Sequence, residues 1–216
     1  MHRIAICAAA SLAVAASSHA AQLEIQFSGF DFIYTGDELV DSGTVVDFGV
    51  GYDQLASADF YVDGALVGSL TTDVYANLFL PVQDIPATGG LVTIPTTPNL
   101  AFFDLTFGPT FSQLIAVDLI APISVFYAGG QLGVATVAPV EVFVQFDTPF
   151  DLEFDEDLGI SLVFSSSNLS NVTSADGFLT GFNASGTGNL TGTLIPEPAS
   201  LSLLGLGAMG LVRRRR

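Results

Sequence analysis

Between residues 4 and 212 this chain of 216 residues contains no lysine and no arginine. Its five basic residues are Arg3 and the run Arg213, Arg214, Arg215 and Arg216, while all 22 Asp and Glu residues lie between those two ends. Tryptophan is absent, the single cysteine is Cys7, and the two histidines are His2 and His19. Each gap removes a class of function. Without cations nothing neutralises phosphates, which excludes nucleic-acid binding. Beyond residue 19 there is no Cys or His, so disulfides, Ser-His-Asp or Cys-His catalysis and His- or Cys-ligated metal sites all lack their parts. Schiff-base chemistry lacks its lysine. Carboxylates, hydroxyls and amides are what remains for chemistry. No side-chain salt bridge can form within the interior of the chain, so its acids repel one another and require water or bound cations.

What is present is a large apolar content: half the residues are hydrophobic and 18 are Phe, while charged residues make up only 12%. A chain of this length has room for one ordinary domain with targeting segments at its ends. Residues 1–20 have the layout of a secretory signal peptide, with Arg3 near the start, an apolar stretch from Ile4 to Ala16, and a small-x-small ending. Ser18 and Ala20 occupy the −3 and −1 positions, which places the cut between Ala20 and Ala21. A buried N-terminal helix is the plainer alternative. Cys7 lies inside the apolar stretch and so does not serve as a lipoprotein cysteine.

The other end reads Pro196-Glu197-Pro198, an uncharged stretch over 199–212, then four arginines at 213–216. Pro-Glu-Pro marks a helix start on its far side. The apolar stretch is shorter than the ~20 residues of a full membrane span, and the arginines act as a stop-transfer that holds the end in the cytoplasm. This three-part tail, over 194–216, resembles the PEP-CTERM sorting signal of bacterial envelope and exopolysaccharide-associated proteins. The resemblance implies recognition by an exosortase, a membrane-embedded cysteine peptidase, with Pro196, Glu197 and Pro198 as the recognised motif. The signal peptide at 1–20 calls for the Sec translocon, and the tail helix for membrane association, transient or retained. Hydropathy alone would give an ordinary tail anchor. Gly205, Gly207 and Gly210 match the G-x-G-x-x-G spacing, but no strand precedes them and no acidic residue follows, so no dinucleotide site is expected.

The domain over 21–193 shows a β signal throughout. Leu23, Ile25 and Phe27 alternate with polar neighbours, as do Val140, Val142, Val144 and Phe146. Asp63-Gly64 between two apolar runs reads as a type I′ hairpin turn over 58–70. Further strands are predicted near 44–50, 74–80, 100–107, 113–120, 123–128 and 158–165, spaced by prolines that forbid long central strands across them. The expected fold is therefore all-β, an antiparallel sandwich or jelly-roll-like domain, flanked by an N-terminal signal helix and a C-terminal hydrophobic helix. The stretch 165–193 turns rich in Ser, Asn, Thr and Gly. It holds four Asn-x-Ser/Thr triplets, at Asn168, Asn171, Asn183 and Asn189, which such a composition produces by chance.

The densest acidic run contains Asp151, Glu153, Asp155, Glu156 and Asp157. Clustered oxygen ligands of this kind suit Ca²⁺, although Glu156 and Leu162 occupy the positions where an EF-hand needs Gly and Glu. Alternation offers a plainer reading, with Leu152 and Phe154 inward and the acids on a solvated face. No other cofactor is expected, and no catalytic residue stands out. The sequence thus points to an exported acidic envelope or matrix protein with a non-enzymatic structural or interaction role, whose acids are held by divalent cations. A carbohydrate-binding module for exopolysaccharide is the first alternative, and a carboxylate-only glycosidase the second.

Overall fold

The computed structural model describes residues 20–47, 50–95, 101–120, 122–136, 142–155 and 158–195. The fifteen strands among the described residues all lie in one compact unit, Gln22–Leu194. The two expected flanking helices lie outside the described residues.

The first strand shows how the sequence builds the sheet. β1 (Gln22–Tyr34) buries Leu23, Ile25 and Phe27, then Phe30, Phe32 and Tyr34. The inward set changes from odd to even positions because the register slips between Ser28 and Phe30. Gly29 is the looped-out residue, with φ 73°, and a Cβ there would lie 2.7 Å from that of Ala56. A glycine bulge of this kind lets one strand continue where simple alternation stops.

Every ladder is antiparallel. One run of strands comprises β6 (Ala65–Leu70), β5 (Ser57–Val62), β1, β15 (Phe178–Thr193), β14 (Ile160–Ala175), β12 (Gln131–Thr136), β11 (Ile123–Ala128) and β8 (Gly90–Ile94). A second run comprises β3 (Val45–Asp47), β4 (Val50–Gln54), β7 (Val74–Leu80), β9 (Phe102–Phe107), β10 (Gln113–Asp118) and β13 (Val142–Phe146). The three-residue β2 (Leu39–Asp41) joins them, pairing with the end of β1 on one side and the end of β7 on the other. In a flat sheet three strand steps would set β1 and β9 about 14 Å apart. Yet Phe27 of β1 stacks on Phe103 of β9 with ring centroids 5.2 Å apart, and Phe60 of β5 lies 5.7 Å from Phe107. The sheet is therefore folded at β2 into two leaves that face each other across an aromatic core. Phe30 stands edge-on to both Phe103 and Phe164, at 5.9 and 5.7 Å. Such pairs add to the burial of the rings themselves.

The expected Asp63-Gly64 turn is present, both residues having positive φ, and Pro81 and Pro95 follow directly on β7 and β8. The stretch 165–193, where Phe178, Leu179 and Phe182 suggest a strand over part of its length, is strand almost throughout. It forms most of a long hairpin, β14 and β15, closed by Asp176 and Gly177 at positive φ. Its low hydrophobicity has a packing cause. Gly188 of β15 lies opposite Phe27 on one side and Phe164 on the other, and Gly192 lies between Leu23 and Ile160. Glycine inside makes room for the neighbours' large rings, while Ser, Thr and Asn occupy the solvated face. A Cβ on Gly188 would meet the Phe27 ring and sit 2.6 Å from the Val163 carbonyl, whereas one on Gly133 of β12 meets nothing within 4 Å. Gly188→Ala is thus expected to cost about 1–3 kcal/mol through overpacking. Gly133→Ala is expected to be neutral or mildly stabilising, a contrast that urea unfolding of the two variants measures.

Candidate functional site

With no cation to pair with, each carboxylate is either solvated or held by the chain's own donors. Asp53 of β4 is 2% exposed. Its Oδ2 accepts the Asp31 N–H at 2.7 Å, and its Oδ1 accepts the Ser42 hydroxyl at 2.7 Å. Asp41, at the end of β2, takes the Gly43 N–H at 2.8 Å and the Leu78 N–H at 3.2 Å. Both thus clamp the fold line between the leaves. Burial pushes both carboxyls above the usual carboxylate range, against the pull of these N–H donors.

Asp104 differs in kind. It lies on β9, pointing away from the Phe103–Phe107 side, directly across from Asn77 of β7. Burial, with the charges of Asp118 and Asp41 added, pushes its carboxyl up to about 7. Thr106, two residues along the same strand, is 2% exposed, and its hydroxyl has no partner among the described residues. No sequence signal marked these three aspartates, because strand alternation treats every acid as solvated.

The acidic run behaves as alternation predicts where it is described. Leu152 and Phe154 are buried and Asp151 and Glu153 exposed, Asp151 ending a 3-10 turn at Pro149–Asp151. Asp155 donates its N–H to the Thr193 carbonyl at 2.7 Å. Glu156 and Asp157 lie outside the described residues. Among the described residues no three carboxylates converge in a group able to hold a metal ion.

The outer face of the first leaf is of another character. The strands β15, β14, β12, β11 and β8 are neighbours and contain no Asp or Glu. Their outward positions carry mostly Ser, Thr and Asn, interrupted by exposed Val163, Phe126 and Leu91, and the cross-strand ladder continues into Gln26 and Ser28 of β1. Two depressions, of about 460 and 560 Å³, meet at Ser165 and Thr187 and form one track across the strands. At one end Asn189 and Gln26 donate to Glu24 Oε1 at 3.1 and 3.0 Å, and the Ser28 and Ser57 hydroxyls share a hydrogen bond of 2.7 Å. At the other end Phe126, 49% exposed, stands beside Gly133. The Asn-x-Ser/Thr stretch therefore supplies one wall of this track.

The sorting residues fall at and beyond the ends of the described chain. Ala20 is exposed and precedes β1 by two residues, whereas Pro196, Glu197, Pro198 and Arg213 to Arg216 lie outside the described residues. Residues 194–216 match the family model for the PEP-CTERM protein-sorting motif. The tail is a PEP-CTERM sorting motif. This motif implies export, membrane anchoring before cleavage, and processing by an exosortase. No curated protein and no solved structure gave a match to the chain.

The pH dependence of stability follows from Asp104. Its folded carboxyl titrates near 7 against 3.8 unfolded, so between those values the folded state holds the extra proton. Stability is then full below the unfolded value and falls as pH rises through about 7, by a few kcal/mol in all. Thermal melts are expected to show this decline between about pH 4 and pH 7, and Asp104→Asn should flatten it and stabilise the protein by about 2–4 kcal/mol at the alkaline end.

Proposed function

We propose that the chain is an exported, acidic cell-envelope or extracellular-matrix protein, delivered through its PEP-CTERM tail and acting without catalysis as a structural or interaction protein. The tail match carries this reading. The arrangement around the fold adds to it: in the two-leaf body, read as a β-sandwich, Asp41 and Asp53 brace backbone N–H groups. Residues 1–20 serve as the signal peptide for the Sec translocon. Pro196, Glu197 and Pro198 present the cleavage motif to the exosortase, and residues 199–212 rest in the inner membrane with Arg213 to Arg216 on the cytoplasmic side. After release, divalent cations from the medium screen the exposed acids.

The intact mass of the protein recovered from the surface or medium of its native host tests the route. A chain running from Ala21 to near Pro196 is expected. One that still carries Arg213 to Arg216 would make the protein tail-anchored.

The polar track supports a second reading, a module that binds exopolysaccharide. Ser, Thr, Asn and Gln each offer both donor and acceptor, which suits sugar hydroxyls, and the lone acids Glu24 and Asp59 at the margin disfavour anionic chains. Under this reading the protein is retarded in native gels containing a neutral glucan such as dextran, and Asn189→Ala weakens that retardation about 2- to 10-fold, the loss of one or two hydrogen bonds. Equal retardation by polyanionic alginate, or none by either polymer, would dismiss it.

A further inference from the structure

We propose that β8 is a self-association seam: β8 of one copy pairs antiparallel with β8 of a second copy about a two-fold axis, extending the first leaf through both molecules. The inference goes beyond the sorting reading and does not depend on it. Among the described residues β8 pairs with β11 alone, so one side of it presents a row of unpaired N–H and C=O groups. Natural sheets blunt such edges with charge, proline, bulges, short strands or covering segments.

The other edges of this protein carry those devices. β6 is bulged, its register against β5 slipping between Phe60 and Tyr61, and the Phe150 ring lies over Gly68. β3 is only three residues long. β13 has a register shift against β10. In contrast β8 keeps unbroken register with β11 from Gly90 to Ile94 and contains no charge and no proline.

Its partner follows from charge. All the protein's interior charges are negative, so two copies repel wherever their acids meet. Residues 85–103 and 119–140, which contain β8, β11 and β12, have no Asp or Glu. The acids of β1 are five strand steps from β8, about 24 Å, or roughly three Debye lengths at physiological salt. The nearest acids, Asp84 and Asp176, lie beyond the Gly90 end, where the Ala87 N–H donates to the Gly177 carbonyl, and antiparallel pairing sets that end against Ile94 of the other copy, so the two copies' acids do not meet across the seam. A cationic partner would be drawn elsewhere, to β1, β5 and the second leaf. A sugar chain cannot satisfy the alternating donors and acceptors of a strand edge, whereas an identical strand can.

Side chains favour the same pairing. Leu91 is 62% exposed and Phe126 49%, and the two lie directly opposite each other across β8 and β11. In a two-fold pair centred on Val92, Leu91 of each copy meets Thr93 of the other. The two Leu91–Phe126 pairs then merge into one apolar strip across the seam.

Sedimentation velocity on the chain from Ala21 to Leu194, which contains the whole described core, tests the proposal. The expected result is a twofold rise in mass between low micromolar and several hundred micromolar protein. Leu91→Glu and, separately, Thr93→Glu place like charges across the seam and are expected to leave a monomer with an unchanged circular dichroism spectrum. Val67→Glu, on the β6 edge, should leave the dimer intact. Should the glutamate variants misfold, hydrogen exchange on the unaltered chain decides, because β8 amides must slow with concentration while β6 amides do not. A monomer at every concentration, a dimer broken by Val67→Glu and not by Leu91→Glu, or β8 exchange indifferent to concentration would each overturn the seam.

Discussion

A single sign of charge is the condition to which the rest of this structure answers. In most domains an acid that must be buried finds an arginine or lysine, and the pair shares the cost of leaving water. Here no such partner exists between residues 4 and 212. The chain has three other ways to hold an acid, and uses all of them. Asp53 and Asp41 take backbone N–H groups and a hydroxyl at the fold line. Asp104 is held in an environment that favours its protonated form up to near neutral pH. The acids described on either side of Leu152 stay in water.

The core compensates in size. With no ion pairs to fix the orientation of the leaves, their relative position rests on rings that interlock across the fold, Phe27 and Phe30 on Phe103 and Phe60 on Phe107. Rings packed so closely need gaps in the strands beside them, and Gly188 and Gly192 supply those gaps. The glycine-rich composition of β15 and the phenylalanine-rich composition of β1 are thus two sides of one packing solution.

That coupling also explains what could be read from the sequence and what could not. The strands β7 and β11 and the Asp63-Gly64 hairpin were legible because each is governed by its own alternation and turn chemistry. β1 was legible only as far as Ser28, since the bulge at Gly29 reverses which positions point inward, a long-range fit against Ala56 that no local pattern carries. β14 was read only to residue 165 because its next inward position is the polar Ser166, and β15 as a segment of changed character because its inward positions are partly glycine and its outward ones polar. β8 and β12 are only about half apolar and each contains a glycine. The sorting tail needed no fold at all, being written in consecutive residues from Pro196 to Arg216. The bracing aspartates were illegible for the opposite reason: Asp31 and Asp53 are twenty-two residues apart and meet only once the leaves close.

The division of charge has a further consequence for how such a protein presents itself outside a cell. Five adjacent strands of one leaf carry no acid, while β1, β5 and the second leaf carry many. Screening in a salt-containing medium acts mostly on the acidic part, since an uncharged surface has nothing to screen. Ionic strength therefore sets how closely the acidic surfaces of neighbouring molecules approach, yet leaves the neutral face almost unaffected. Contacts made through that face, by hydroxyls and amides along the track or by backbone groups at β8, keep their strength across conditions that alter the other side. Segregation thus gives one small domain a side whose interactions follow the ionic medium and a side whose interactions do not. In a chain without a single internal cation, only the placement of its acids can create that difference.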